Sequence, residues 1–281
     1  MKKGIILCLI ALAGIACESC LPEPLEVNGI PVLTPHIVVS SQVVPGQSIA
    51  VLLTRSVSAL EAGSSTNADS LLNAVVINDA NVVISWQDET DTLQFLGTGI
   101  YGSASTPLIA GEAYTLRVES PSMGIVTAQT NMNARVSFDD VSASLQIEDK
   151  DTLGSVSYAF TDPPGQNWYM LNVQRYHDPE NLINNLNPRI FIKAMSDADF
   201  SGNVRSETFT VPFRRFHAGD TVSVTLANIS QEYYNYLKTR IDGQNSISEF
   251  VSEPVNLPTN VQGGYGYFNM QIPDTRFFEM R

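Results

Sequence analysis

Val141-Ser142-Ala143-Ser144-Leu145-Gln146-Ile147 places an apolar side chain at every second position, the period of a β-strand that buries one face and wets the other. Runs of the same character recur along the chain. Downstream lie Val156 to Phe160, Trp168 to Val173 and Thr221 to Leu226. Upstream lie Ile37-Val38-Val39, Ile49 to Leu53, Val75-Val76-Ile77, Val82 to Trp86, Tyr114 to Val118 and Ile125 to Ala128. Turn signals such as Pro45-Gly46 and Ala110-Gly111-Glu112 separate them. Short β-branched runs at regular spacing predict a mainly β protein of sandwich type.

At 281 residues the chain is long enough for two cores of ordinary size. The division expected is an N-terminal sandwich over 36–137, of immunoglobulin- or transthyretin-like kind, and a second β-rich domain over 138–281. One short helix is expected in the second, near 229–241. Asn228 and Gln231 have the spacing of a capping box, Ile229, Tyr233, Tyr236, Leu237 and Ile241 form an apolar stripe for packing, and Gly243 is a stop signal. Glu61 to Asp69 lacks apolar periodicity and reads as an exposed loop. Asn181 to Asn203, rich in Asn, Asp and Ser, reads as a long excursion between strands.

Composition sets the outer limits. Hydrophobic residues at 43% against 16% charged residues describe a chain that folds. A net charge of −13 argues against phosphate backbones as partners, since nucleic-acid affinity rests on clustered Lys and Arg.

The start of the chain carries an address. Lys2 and Lys3 precede an apolar run over Gly4 to Ala16 that is too short to span a bilayer, the pattern of a secretory signal over residues 1–16. It ends in Leu12-Ala13-Gly14-Ile15-Ala16-Cys17, which resembles a bacterial lipobox and makes Cys17 the expected acylation site. Acyl chains on Cys17 hold a protein on a membrane without a transmembrane helix. Cys20 reads as a free thiol at the membrane surface. Residues 17–35, with Pro22, Pro24 and three glutamates, read as an acylated tether. The acidic residues after Cys17 also resemble the export signal that sends Bacteroidota lipoproteins to the outer face of the outer membrane. All three cysteines lie in the first 20 residues, so no disulfide staples the body.

The order of the pieces carries a resemblance. Leu72 to Ile77 with Ala80 to Ile84, Ala110 to Val118, Phe160-Thr161-Asp162-Pro163-Pro164-Gly165-Gln166-Asn167-Trp168-Tyr169, and Gln231 to Leu237 precede a closing stretch over Pro254 to Phe268. Within it, Asn260-Val261-Gln262-Gly263-Gly264-Tyr265-Gly266-Tyr267-Phe268 is the most specific part. The series resembles the Domain of Unknown Function 4249 family of Bacteroidota lipoproteins over nearly the full chain, with Val261 where the family commonly has Ile. The resemblance implies an outer-membrane lipoprotein, commonly encoded near TonB-dependent receptors, with no established reaction or ligand. It carries over no catalytic residue. Physically, Gly263, Gly264 and Gly266 call for positive φ or close backbone approach, with Tyr265, Tyr267 and Phe268 on alternate sides of a strand.

The sequence encodes little recognisable chemistry. His36, His177 and His217 are dispersed, without the spacing of a helical zinc site. There is no Gly-x-Ser-x-Gly elbow. Asp149-Lys150-Asp151, Asp197-Ala198-Asp199 and Asp139-Asp140 read as solvated turns rather than Ca²⁺ loops. Trp168-Tyr169, Tyr233-Tyr234 and Tyr265-Tyr267-Phe268 read as packing rather than as platforms for a sugar or peptide, and Arg214-Arg215 beside His217 as an ion-paired surface rather than a grip for a partner carboxylate. Asp69-Ser70-Leu71, Asp91-Thr92-Leu93, Asp151-Thr152-Leu153 and Asp220-Thr221-Val222 resemble a Bacteroidota O-glycosylation signal, making Ser70, Thr92, Thr152 and Thr221 candidate acceptors.

The expectation is a non-enzymatic, lipid-anchored binding or accessory subunit beside a TonB-dependent receptor, with no cofactor, no metal and no catalytic residue. It would sit on the outer membrane, on the surface rather than the periplasmic face. The alternatives are a surface glycan or peptide hydrolase whose site is assembled only by folding, and a structural envelope protein.

Overall fold

Eight strands follow one another in the first part of the chain: β1 (Ile37–Val44), β2 (Ser48–Arg55), β3 (Asn81–Trp86), β4 (Glu89–Thr92), β5 (Gln94–Gly97), β6 (Ile100–Ser103), β7 (Ala113–Ser120) and β8 (Gly124–Asn131). Two more strands of the same sandwich come from the far end of the chain, β15 (Val261–Gln262) and β16 (Tyr265–Tyr267). The sheets run β16-β1-β2-β6-β5 and β15-β8-β7-β3-β4. The structure, a computed structural model, describes residues 34–44, 48–57, 73–148, 151–176, 191–245 and 257–281. The leader, the tether as far as residue 33, with Cys17 and Cys20, and the Glu61 to Asp69 segment lie outside the described residues.

Alternation builds the first core. Ile37 and Val39 of β1 and Val51 and Leu53 of β2 face Val82 and Ile84 of β3 and Tyr114, Leu116 and Val118 of β7. Phe268 and Met270, just past β16, are buried in the same core. Residues 261–267, which a division at residue 138 assigns to the second domain, therefore complete both sheets of the first. β15 pairs antiparallel with β8, and β16 pairs parallel with β1. The division fails because neither sheet edge is closed by local sequence.

The glycines explain how that segment fits. A Cβ on Gly264 would lie 2.4 Å from the carbonyl oxygen of Ile37, and one on Gly266 would lie 2.0 Å from that of Val39. Gly263 and Gly266 also have φ of +82° and +90°. Asn260 clamps the segment with three hydrogen bonds. Its Nδ2 donates to the carbonyls of Gln129 and Phe268, and its Oδ1 accepts from the amide of Phe268. The motif read as family-specific is thus the closure of the first sandwich.

The second sandwich pairs a sheet β13-β10-β9 with a sheet β12-β11-β14-β17. Its strands are β9 (Asp140–Glu148), β10 (Asp151–Thr161), β11 (Trp168–Tyr176), β12 (Phe191–Ser196), β13 (Val204–Arg215), β14 (Thr221–Ile229) and β17 (Asp274–Glu279). Val156, Tyr158 and Phe160 of β10 pack on Tyr169, Leu171, Val222, Val224 and Leu226. The helix α1 (Gln231–Asn245) covers the other face of the four-stranded sheet. There Leu237 packs with Met170, Ala227 and Ile229, and burying a leucine of this kind contributes roughly 1.5–3 kcal/mol.

Three local readings change. Val75-Val76-Ile77 is not a strand: 73–75 form a helical turn and Val76 makes a single bridge to Thr54. β6 already occupies that side of β2 as far as Leu52, which leaves only this slot. The helix begins later than expected, because Asn228 and Ile229 continue β14. Ser230 caps it, its Oγ accepting from the Tyr233 amide, and the helix runs through Gly243. The excursion over 181–203 contains β12 and a 3₁₀ turn at Asp197–Asp199, since Ile192 and Ala194 face the helix.

Gly266→Ala is expected to lower unfolding free energy in urea by roughly 2–5 kcal/mol, combining left-handed strain with overpacking. Gly111→Ala, at φ +80° with nothing near its added Cβ, is expected to lose about 1 kcal/mol. Equal losses would contradict the close approach.

Candidate functional site

Buried carboxylates are the natural first candidates for chemistry, and each is already held by donors. Asp274, at the start of β17, is 2% exposed. It accepts from the Phe138 amide at 2.9 Å and pairs with Arg135 at 2.9 Å and Arg276 at 3.1 Å. Burial pushes its carboxyl up, yet the Phe138 amide and the two guanidiniums outweigh burial and hold it below the ordinary carboxylate range. It pins the connector between the sandwiches to the second sheet. Beside it, Asn133 Nδ2 donates to Asn228 Oδ1 and to the carbonyl of Ile229, and Asn228 Nδ2 donates to Asn167 Oδ1.

Asp162 accepts from the Tyr169 hydroxyl and the Gly202 amide. Desolvation, with the neighbouring carboxylates, pushes the Tyr169 phenol up, so it stays protonated. Asp197, read from sequence as part of a solvated turn, is buried and accepts from the Asn167 amide at 2.7 Å. Its backbone closes the 3₁₀ turn, which turns the side chain inward. These acids order the fold and leave no oxygen array for a cation. Among the described residues, no group of three or more His, Cys, Asp or Glu comes together to hold a metal.

Two concave surfaces are formed wholly by described residues. The first is a groove of about 390 Å³ between α1 and the edge strands β12 and β13, with Ile192, Ala194, Phe209 and Ile241 along its apolar wall. At its rim Lys193 lies over the Phe209 ring and pairs with Glu207, which also takes Arg205 at 2.7 Å and the Tyr158 hydroxyl at 2.9 Å. Burial raises the Glu207 carboxyl, but Lys193, Tyr158 and Arg205 together bring it below its ordinary range. That ion cluster ties the two sheets together at their open edge.

The second is a cleft of about 270 Å³ where the first sandwich meets the start of α1. β7 contributes Thr115, β8 contributes Gln129, Thr130 and Asn131, and α1 contributes Glu232. Tyr267 of β16 forms part of the wall, its ring packed on Tyr233 and Tyr236 at 5.1 and 5.0 Å. Burial pushes the Tyr267 phenol up to about 12 against a hydrogen bond from Ser230 that lowers it. Because adjacent residues of a strand face opposite ways, Tyr267 meets the helix while Phe268 enters the first core.

The other sequence candidates are scattered. His36 is exposed and its ring meets Tyr265 edge-on at 5.2 Å. His217 is exposed with Nδ1 3.7 Å from Asp220. His177, Ser70 and the side chains of Arg214 and Arg215 lie outside the described residues. Thr92 is exposed on β4, and Thr152 and Thr221 are half-buried. Trp168 packs toward the helix and Tyr169 into the second core. Sequence reasoning missed the cleft, whose residues come from four separated stretches of chain. The helical spacing of Tyr233 and Tyr236, together with Tyr267 in the closing motif, was the available signal.

Residues 23–275 match the family described as a domain of unknown function, DUF4249. The chain belongs to the DUF4249 family. No curated protein matches it in sequence. Among solved structures, a two fibronectin type-III domain segment from chicken tenascin resembles this DUF4249 chain at 10% identity, over 87% of the chain and 98% of the segment, with a TM-score of 0.24.

The Asp274 pin gives this DUF4249 chain a pH signature. A carboxyl held below its unfolded value contributes stability that is full above the unfolded pKa and is lost as pH falls through the folded one. The melting-temperature gap between wild type and Asp274→Asn is therefore expected to be widest at neutral pH and to narrow below about pH 4. A gap unchanged from pH 7 to pH 3 would contradict the pairing.

Proposed function

We propose that this protein is a lipid-anchored binding or accessory subunit of the outer membrane, acylated at Cys17, facing the cell surface and working beside a TonB-dependent receptor. The observation that carries the binding half is the division of polar groups. The buried carboxylates are consumed by the fold, while unengaged amides, hydroxyls and a carboxylate gather at one concave cleft, as binding sites do. Membership of the DUF4249 family and the lipobox-like sequence before Cys17 support the membrane half. A tether over residues 17–35 keeps the body near any partner in the same membrane, which raises effective concentration without new contacts. Thr92, exposed on an edge strand, is the most open of the proposed glycan acceptors Ser70, Thr92, Thr152 and Thr221 whose surroundings are described.

The test is purification from the native outer membrane in mild detergent. Wild type and Cys20→Ser are expected to fractionate with the membrane and to bring down a TonB-dependent receptor, whereas Cys17→Ser leaves the membrane fraction or accumulates as a precursor. A Cys17→Ser protein that is processed and retained normally, or a wild-type preparation holding this chain alone, would overturn the reading. Glycopeptide mass spectrometry of the same preparation reads the acceptors, and an unmodified Thr92 removes that site.

A further inference from the structure

The polar groups around the junction cleft fall into two sets. Some are spent on the fold. The Tyr114 hydroxyl donates to the carbonyl of Pro107 and accepts from the Ile109 amide, Asn260 makes its three clamping bonds, and Ser230 caps α1. The side chains of Gln129, Thr130, Asn131 and Glu232 have no hydrogen bond or ion pair with another described residue. Thr130 is only 9% exposed and lines the cleft. A polar group withdrawn from water without a partner costs about 1–3 kcal/mol, so an occupant that covers these groups must supply hydrogen bonds of its own.

The chemistry of the lining narrows that occupant. Apart from the groups spent on the fold, the lining holds one carboxylate, the amides of Gln129 and Asn131 and the threonines Thr115 and Thr130, with no Lys or Arg. An anion would meet Glu232 without a counter-charge, and an apolar molecule would strand the amides. A cation would use Glu232 but leave the amide nitrogens without acceptors. A ring of hydroxyl groups both donates and accepts at each position, matching amides that do both and a carboxylate that accepts from two neighbouring hydroxyls. At about 270 Å³ the cleft lies below the range for drug-sized ligands, which suits a single sugar ring.

We propose that the junction cleft binds one neutral pyranose residue of a glycan, with Gln129, Asn131 and Glu232 taking its hydroxyls and Thr130 closing the floor. The proposal rests on the reading of the chain as a binding subunit and adds the class of ligand.

Saturation-transfer NMR on the full-length purified protein tests it with methyl α-D-glucopyranoside, methyl α-D-mannopyranoside, methyl β-D-galactopyranoside and N-acetylglucosamine, with putrescine as the cation arm. At least one glycoside is expected to bind the wild type, and Asn131→Ala or Glu232→Ala is expected to weaken it tenfold or more at unchanged melting temperature. Both side chains are exposed and make no hydrogen bond or ion pair with a described residue, so neither truncation removes a packing contact of the core. Absence of binding by all four sugars, binding that survives both substitutions, or binding of putrescine in their place would overturn the assignment. Loss of receptor co-purification with glycoside binding intact would instead sink the accessory-subunit reading and leave this one standing.

Discussion

The contact on which the structure depends is the parallel pairing of Tyr265–Tyr267 with Val38–Ser40. It brings the end of the chain back against its beginning, at a distance that excludes any side chain at Gly264 and Gly266. Immediately upstream, Val261 and Gln262 pair with β8, so one short stretch closes both sheets of the first sandwich. Immediately downstream, Phe268 and Met270 enter the first core before the chain passes into β17 of the second. Tyr267, between these events, packs on Tyr233 and Tyr236 of α1. The cleft exists because this segment sets the helix beside β7 and β8.

Charge serves the same architecture. With 29 acidic residues against 16 basic ones, burying a carboxylate needs specific compensation, because an unpaired buried charge is strongly destabilising. Asp274 finds it in an amide and two arginines, Glu207 in a lysine, an arginine and a tyrosine, and Asp162 in a hydroxyl and an amide. All three join segments distant in sequence. Acids placed this way hold the sandwich edges and the connector in register, while Glu232, exposed in the first turn of α1, is free of that duty.

Much of this was legible in the residues. Short β-branched runs identified most strands, and alternation over Val141–Ile147 identified β9, whose Val141, Ala143 and Leu145 pack against the second core. The glycine spacing of the closing motif announced a close backbone approach. The short edge strands Glu89–Thr92 and Gln94–Gly97 were not legible, because neither face of an edge strand at the rim need be apolar and their residues are largely exposed. The helix start was misplaced because Asn228 mimics a cap while its side chain serves the connector between the sandwiches. The partners of Tyr265–Tyr267 were invisible for a deeper reason: pairing across more than 200 residues leaves no periodic trace in either strand.

Native-state hydrogen exchange tests the central claim, that the closing segment is part of the first sandwich. Amides of Val261–Phe268 are expected to exchange with the same opening free energy as those of β1, β7 and β8, as one cooperative unit. Exchange of Val261–Phe268 at least a hundredfold faster than β7, with β1 and β8 still protected, would show a sandwich that stands without its closure and would contradict the account.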